Sequence, residues 1–220
     1  MEKVSFIIPT LNEVQGVSVV LDEIPVSELK SLGFGVEILV VDGGSTDGTR
    51  DVLEEYDVQV YTEEGGKASA VRRGMKESSG DYIFLIDGDG SYPCDKISLM
   101  LEKLQNGTSM VLGNRFSGDV EDGAMSRLNR FGNKFLTSMA NRLYRTDISD
   151  LCTGLRGIKV ECLGEIPGKG FEVEAALHTV MCDKKICEVP ISYRERRGES
   201  KLKVRDGFKI AKRLIFEKMK

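Results

Sequence analysis

Asp87 and Asp89, separated by one glycine in FLIDGDGSYP, are the side chains whose type and spacing speak most directly of chemistry. Carboxylates that close repel each other unless a cation or the donors of a ligand lie between them. At the end of an apolar run, oxygen ligands in this spacing suit a hard divalent cation, Mg2+ or Mn2+, which leaves further positions to water and to ligand phosphates. Such a cation neutralises a diphosphate and stabilises it as a leaving group. Two other apolar runs end in the same manner, IIPTLNE with Glu13 and VVDGGSTDGT with Asp42. Asp42 can accept from a base N–H and Glu13 from a ribose or a base, so the set points to a nucleotide diphosphate. One Asp or Gly after a strand is commonly a turn residue; turns alone do not account for all three. The chain has no G-x-x-x-x-G-K-S/T, and no G-x-G-x-x-G follows its first strand, which argues against a P-loop or a dinucleotide fold.

Residues so far apart in the chain meet only if strands carry them to a common rim. Apolar runs predict strands at 3–8, 36–41, 58–61, 82–86 and 109–112. Helical spacing predicts helices over 14–32, ended or kinked by Pro25, and over 46–56, 67–78 and 95–104. This α/β alternation favours a mostly parallel central sheet flanked by helices on both faces, with ligands bound beyond the carboxyl ends of its strands.

The 220 residues suit one domain, and no second hydrophobic pattern is present. The five cysteines are odd in number, scattered and without a C-x-x-C pair, so neither a disulfide framework nor a zinc site is indicated and a reduced cytoplasm fits. With no basic, apolar leader and no run of roughly 18 apolar residues, the expectation is a chain neither secreted nor membrane-spanning. The net charge of −4 hides a local imbalance: residues 201–220 hold eight Lys or Arg and two acids, +6, which leaves −10 for the rest. Such a tail suits nucleic acid, anionic lipid or merely a solvated helix face.

The motifs IIPTLNE, EILVVDGGSTDGT, GDYIFLIDGDGSYP, VLGNRF, DLCTGLRG and VPISYRERRGESKL stand in the order and approximate spacing seen in family 2 inverting glycosyltransferases. From Val4 to about Leu202 the chain most resembles the polyprenyl and dolichyl phosphate sugar transferases, including dolichol-phosphate mannose synthases. That resemblance implies a GT-A fold, with a nucleotide-sugar half at about 1–113, an acceptor half at about 114–200 and a basic C-terminal helix at 201–220. It places Pro9, Leu11, Glu13 and Asp42 at the nucleoside, and Asp87, Gly88 and Asp89 at the diphosphate through the divalent metal, with Asp89 essential for turnover. Lys67 either approaches the nucleotide or simply begins a helix. Leu11, Gly43 and Ser91 depart from the family, which often has an aromatic residue, a second Asp and a Gln at these places.

On the acceptor side the resemblance implies that Arg115, one of Arg127 and Arg130, and Arg196 grip a lipid monophosphate, for which guanidinium is well shaped. Asp150 is either a catalytic base or an organiser of the arginines. A phosphate monoester is largely anionic near neutrality and requires little help from a base. Residues 126–145 interleave Arg127, Arg130, Lys134, Arg142 and Arg145 with Leu128, Phe131, Phe135 and Met139, as a membrane-interface helix or a core-packing helix would. In the tail, Val204, Phe208, Ala211, Ile215 and Met219 recur at helical spacing among lysines and Arg213. His178, among alanines and Leu177, reads as packed.

The resemblance thus implies transfer of a hexose from a GDP- or UDP-linked sugar to polyprenyl or dolichyl phosphate. The enzyme would sit peripherally on the cytoplasmic face of a membrane, with a separate membrane protein as a further candidate partner and no nucleic acid. The alternatives are a soluble glycosyltransferase acting on a saccharide or protein hydroxyl, and a sugar-nucleotide-binding protein without turnover.

Overall fold

Val4, Phe6, Ile7 and Ile8 are all completely buried, so the first strand is covered on both faces, as its unbroken apolar run requires. The computed structural model describes residues 1–167, 172–198 and 204–219. In it this strand, β1 (Lys3–Thr10), lies inside a seven-stranded sheet. The others are β2 (Gly35–Asp42), β3 (Gln59–Thr62), β4 (Tyr82–Leu85), β5 (Met110–Asn114), β6 (Arg156–Lys159) and β7 (Ile186–Pro190). The order is β3-β2-β1-β4-β6-β5-β7. All pairings are parallel except those of β6, which runs antiparallel to β4 and β5.

Successive residues of a strand point to opposite faces, and here each face has its own core. Phe6, Ile8, Val40 and Phe84 pack with Val17 and Val20 of α1 (Val17–Glu23), Leu29 of α2 (Val26–Ser31) and Met100 of α5 (Ile97–Gln105). On the other face Ile7, Val41, Leu85 and Ile158 meet Val71 of α4 (Lys67–Glu77), Leu136 of α6 (Arg127–Tyr144), Leu177 of α7 (Val173–Met181) and Leu214 of α8 (Val204–Lys218). The first predicted helix is two, separated at Pro25. The second, α3 (Thr49–Leu53), is shorter than 46–56 because Thr46 and Asp47 are bonded into the loop after β1.

β6, α7 and β7 were not foreseen. RGIK of β6 has one large apolar residue between two charged ends, a pattern read as a strand only because neighbours on both sides enclose it. The basic stretch at 199–203, including Lys201 and Lys203, and Lys220 lie outside the described residues.

The strand register builds the rim. Thr10 pairs with Asp42, Ile7 pairs with Leu85, and the Ile86 N–H donates to the Ile7 carbonyl at 3.1 Å. The residues following β1, β2 and β4 therefore emerge at one edge.

His178 on α7 is fully buried, as expected, with its ring edge-on to Tyr144 at 5.7 Å and Nε2 3.3 Å from Thr146 Oγ1. Burial, assisted by the Arg156 charge, lowers its pKa from 6.5 to about 4. A depressed folded pKa means that the unfolded chain binds the proton more readily. The stability is therefore complete above about pH 6.5 and lost as pH falls toward 4. Between pH 7.5 and pH 5 the loss from this group should be about 2 kcal/mol. Urea unfolding of His178→Gln should show a correspondingly smaller pH dependence, and an unchanged one would refute the assignment.

Candidate active site

The loops after β1 and β2 are stitched together. Asn12, at φ +50°, receives the Thr46 N–H on Oδ1 at 2.8 Å and donates its own N–H to Ser45 Oγ at 2.8 Å. The Glu13 N–H reaches Thr49 Oγ1 at 2.9 Å. Asp42 is completely buried and accepts from the Gly44 N–H and from Ser45 N–H and Oγ, so its carboxylate closes its own turn. Pro9 lines a cavity beside Asp87, and Leu11 is exposed on the rim.

Asp87 and Asp89 follow β4 at this same edge, and each already faces a cation. Lys67, the first residue of α4, places Nζ 3.0 Å from Asp87 Oδ1 and also binds Glu174 in the first turn of α7. Burial would lower the lysine pKa, but the carboxylates of Asp87 and Glu174 more than offset it and raise it above the ordinary value. Lys67 thus both begins a helix and reaches the acid pair. Asp89 Oδ1 accepts from Ser91 N–H at 3.0 Å and Ser91 Oγ at 2.5 Å. Its Oδ2 lies 3.5 Å from Arg196 Nη2, which is also 3.0 Å from Glu13 Oε1.

Glycines make this crowding possible. A Cβ on Gly154 would lie 2.3 Å from Asp87 Oδ2, and one on Gly88 would lie 2.7 Å from Thr10 Cγ2. The segment carrying Arg196 is tied to the acid loop by its backbone, Arg194 N–H to Ser91 O at 3.0 Å and Arg197 N–H to Asp89 O at 2.9 Å. Glu174 was missed in the sequence, although an acid inside the apolar run FEVEAAL was a signal.

Among the described residues no group of three or more His, Cys, Asp or Glu is arranged to hold a metal ion. The acid pair offers oxygen ligands only, and the Asp87 side chain keeps 28% of its exposure beside a cavity lined by Lys67, Thr153, Gly154, Arg156 and Glu174. These residues fit Mg2+ or Mn2+ completed by ligand phosphates and water.

The residues expected on the acceptor side follow β5 and begin α6. Arg115, after β5, donates Nε to Asp150 Oδ2 and Nη2 to Asp150 Oδ1, both at 2.7 Å. Its guanidinium lies 5.0 Å from the Tyr193 ring and 5.9 Å from those of Tyr92 and Phe116. Asp150 is fully buried, and its own N–H and that of Ser149 both donate to Glu188 Oε1 on β7. Arg127 and Arg130 are exposed on the first turn of α6, which Ser126 caps, and Arg130 and Lys134 both lie 5.8 Å from the Phe116 ring. Arg196 does not join them. Expected at the acceptor phosphate, it stands against Glu13 and Asp89, its carboxylate partners among the described residues.

A mostly parallel sheet with one reversed strand and an acid pair after β4 agrees with the GT-A fold that the sequence resemblance implies. The solved glucosyl-3-phosphoglycerate synthase of Mycobacterium tuberculosis, in complex with Mn2+, UDP and phosphoglyceric acid, shares this fold. Its TM-score is 0.76 at 20% identity, over 99% of this chain and 78% of that one. Residues 5–166 match the model described as Glycosyl transferase family 2, and the chain belongs to that family of glycosyltransferases. It is 33% identical to glycosyltransferase AglJ of Haloferax volcanii over 94% of this chain and 69% of that protein. To the dolichol-phosphate mannosyltransferase of Pyrococcus furiosus it is 34% identical, over 99% of this chain and 64% of that protein. The chain thus spans about two thirds of the length of these relatives.

Proposed function

We propose that this chain transfers a hexose, with inversion, from a nucleotide diphosphate sugar to a polyprenyl or dolichyl phosphate at the cytoplasmic face of a membrane. The observation that carries the reading is a two-helix surface beside the acceptor arginines. Helices α6 and α8 pack together, with Tyr144 Oη donating to the Leu214 carbonyl at 2.7 Å. Leu136, Ala140, Ile210 and Leu214 face the core. Leu128, Phe131, Phe135, Phe208, Phe216 and Met219 remain exposed, each more than half so, with Arg130, Lys134 and Lys209 nearby in sequence. The tail helix therefore both packs back on α6 and α7 and presents an apolar, basic outer face, which a water-soluble acceptor does not require. No described helix is long and apolar enough to cross a membrane.

Asp87 and Asp89 would hold the divalent cation, which when bound neutralises the diphosphate as it leaves. Arg115 spends Nε and Nη2 on Asp150, and its Nη1 with Arg130 is available to the acceptor phosphate. That phosphate is already anionic, so Asp150 serves by fixing the Arg115 fork.

The test is transfer of labelled hexose into an organic-extractable lipid. A Phe131→Ser, Phe216→Ser variant, altered only at exposed positions, should transfer about tenfold less to acceptor embedded in anionic vesicles. It should match the parent protein on detergent-dispersed acceptor. Label found only in water-soluble product would overturn the acceptor assignment, and equal transfer by both proteins on vesicles would overturn the lipid-facing surface.

A further inference from the structure

The acid pair is not left bare in this protein. Lys67 occupies Asp87 at 3.0 Å and Arg196 occupies Asp89 at 3.5 Å, and each of these cations also touches a second carboxylate, Glu174 and Glu13 respectively. The cations come from distant parts of the chain, one from the start of α4 and one from the segment after β7, so two separate elements deliver positive charge to one pair of acids. We infer that Lys67 and Arg196 are internal counter-cations of the Asp87–Asp89 pair, displaced when a divalent cation binds, and that Glu174 is the positioning residue that retains Lys67 as it withdraws.

The argument is one of charge balance. A cation arriving at Asp87 must break the Lys67 contact, and at Asp89 it competes with Arg196. If either displaced group were left without a partner in this partly buried place, the cost would be large. Glu174, whose side chain is only 9% exposed, and Glu13, at 8%, prevent that by already holding the far side of each cation. The arriving metal takes one carboxylate of each couple and leaves the other. A nucleotide diphosphate supplies additional anionic oxygens for the released ammonium and guanidinium, so a divalent cation should bind far better with the nucleotide than alone.

This inference rests on the proposed metal-dependent nucleotide site, and one experiment separates the two. Free Mn2+ is followed by its electron paramagnetic resonance signal in titrations with and without UDP or GDP. Failure of the unaltered protein to bind Mn2+ even with either nucleotide would overturn the site itself. If the site stands, Lys67→Met and Arg196→Met should each tighten the binding of Mn2+ alone by about tenfold, since each removes a competing positive charge at hydrogen-bonding distance. Unchanged Mn2+ affinity in both variants would overturn the counter-cation role. Glu174→Gln, nearly isosteric, should weaken Mn2+ binding in the parent protein and have no effect when Lys67 is already Met, because Glu174 acts through the lysine. An equal effect in the two backgrounds would overturn its positioning role.

Discussion

An Asp89→Asn enzyme is expected to lose about a thousandfold or more in kcat/KM while remaining folded, an effect comparable to removing a principal electrostatic stabiliser of a transition state. Asparagine keeps an oxygen where Oδ1 accepts from Ser91 N–H and Oγ, so the turn that aims residue 89 survives. The negative charge is lost. Among the described residues Arg196 then keeps Glu13 alone as an acidic partner, and a divalent cation has one carboxylate of the pair instead of two. The variant should therefore melt within a few degrees of the parent and fail both to turn over and to bind Mn2+ with nucleotide. Activity within tenfold of the parent, or full activity of the parent in excess EDTA, would exclude the role given to the pair.

The acid-bearing edge was legible in the sequence because its signals are local. The strands that precede Glu13, Asp42 and Asp87 are apolar runs, and each is halted by a proline, acid or glycine, so both the element and its terminus can be read from a few consecutive residues. Lys67 and Ser91 were legible as positions but not as contacts, since the partner of Lys67 on α7 lies more than a hundred residues away. The second half was harder for a related reason. β6 is a strand because β4 and β5 hold it from both sides, and its sequence, with Arg156 buried and Lys159 at its end, contradicts the pattern of a core strand. Arg196 too was legible as a position but not as a contact: the structure sets it against Glu13 and Asp89, carboxylates far away in the chain. In the tail, helical spacing correctly announced α8, and Ala211 of the expected stripe does pack against the core, yet the buried face is set by Ile210 and Leu214 while Phe208, Ile215 and Met219 of that stripe stay exposed.

Asp150→Asn should lower kcat/KM for the lipid acceptor by about a hundredfold, chiefly through a higher acceptor KM, and leave donor affinity within twofold. The carboxylate binds both arms of the Arg115 fork, and among the described residues the guanidinium has no second acid, its other neighbours being the rings of Tyr92, Phe116 and Tyr193. With asparagine, only one oxygen remains to accept and its amide N–H groups oppose the guanidinium, so the fork loses the orientation proposed for gripping the acceptor phosphate. Glu188 still anchors the backbone at residues 149 and 150, which keeps the loop in place and makes the change one of electrostatics and not of folding. The pH profile decides between the two roles open to Asp150. An organiser leaves the acidic limb of kcat where it was, because no proton passes through the carboxylate. A catalytic base would remove that limb and lower kcat with little change in acceptor KM, and this outcome would reverse the assignment.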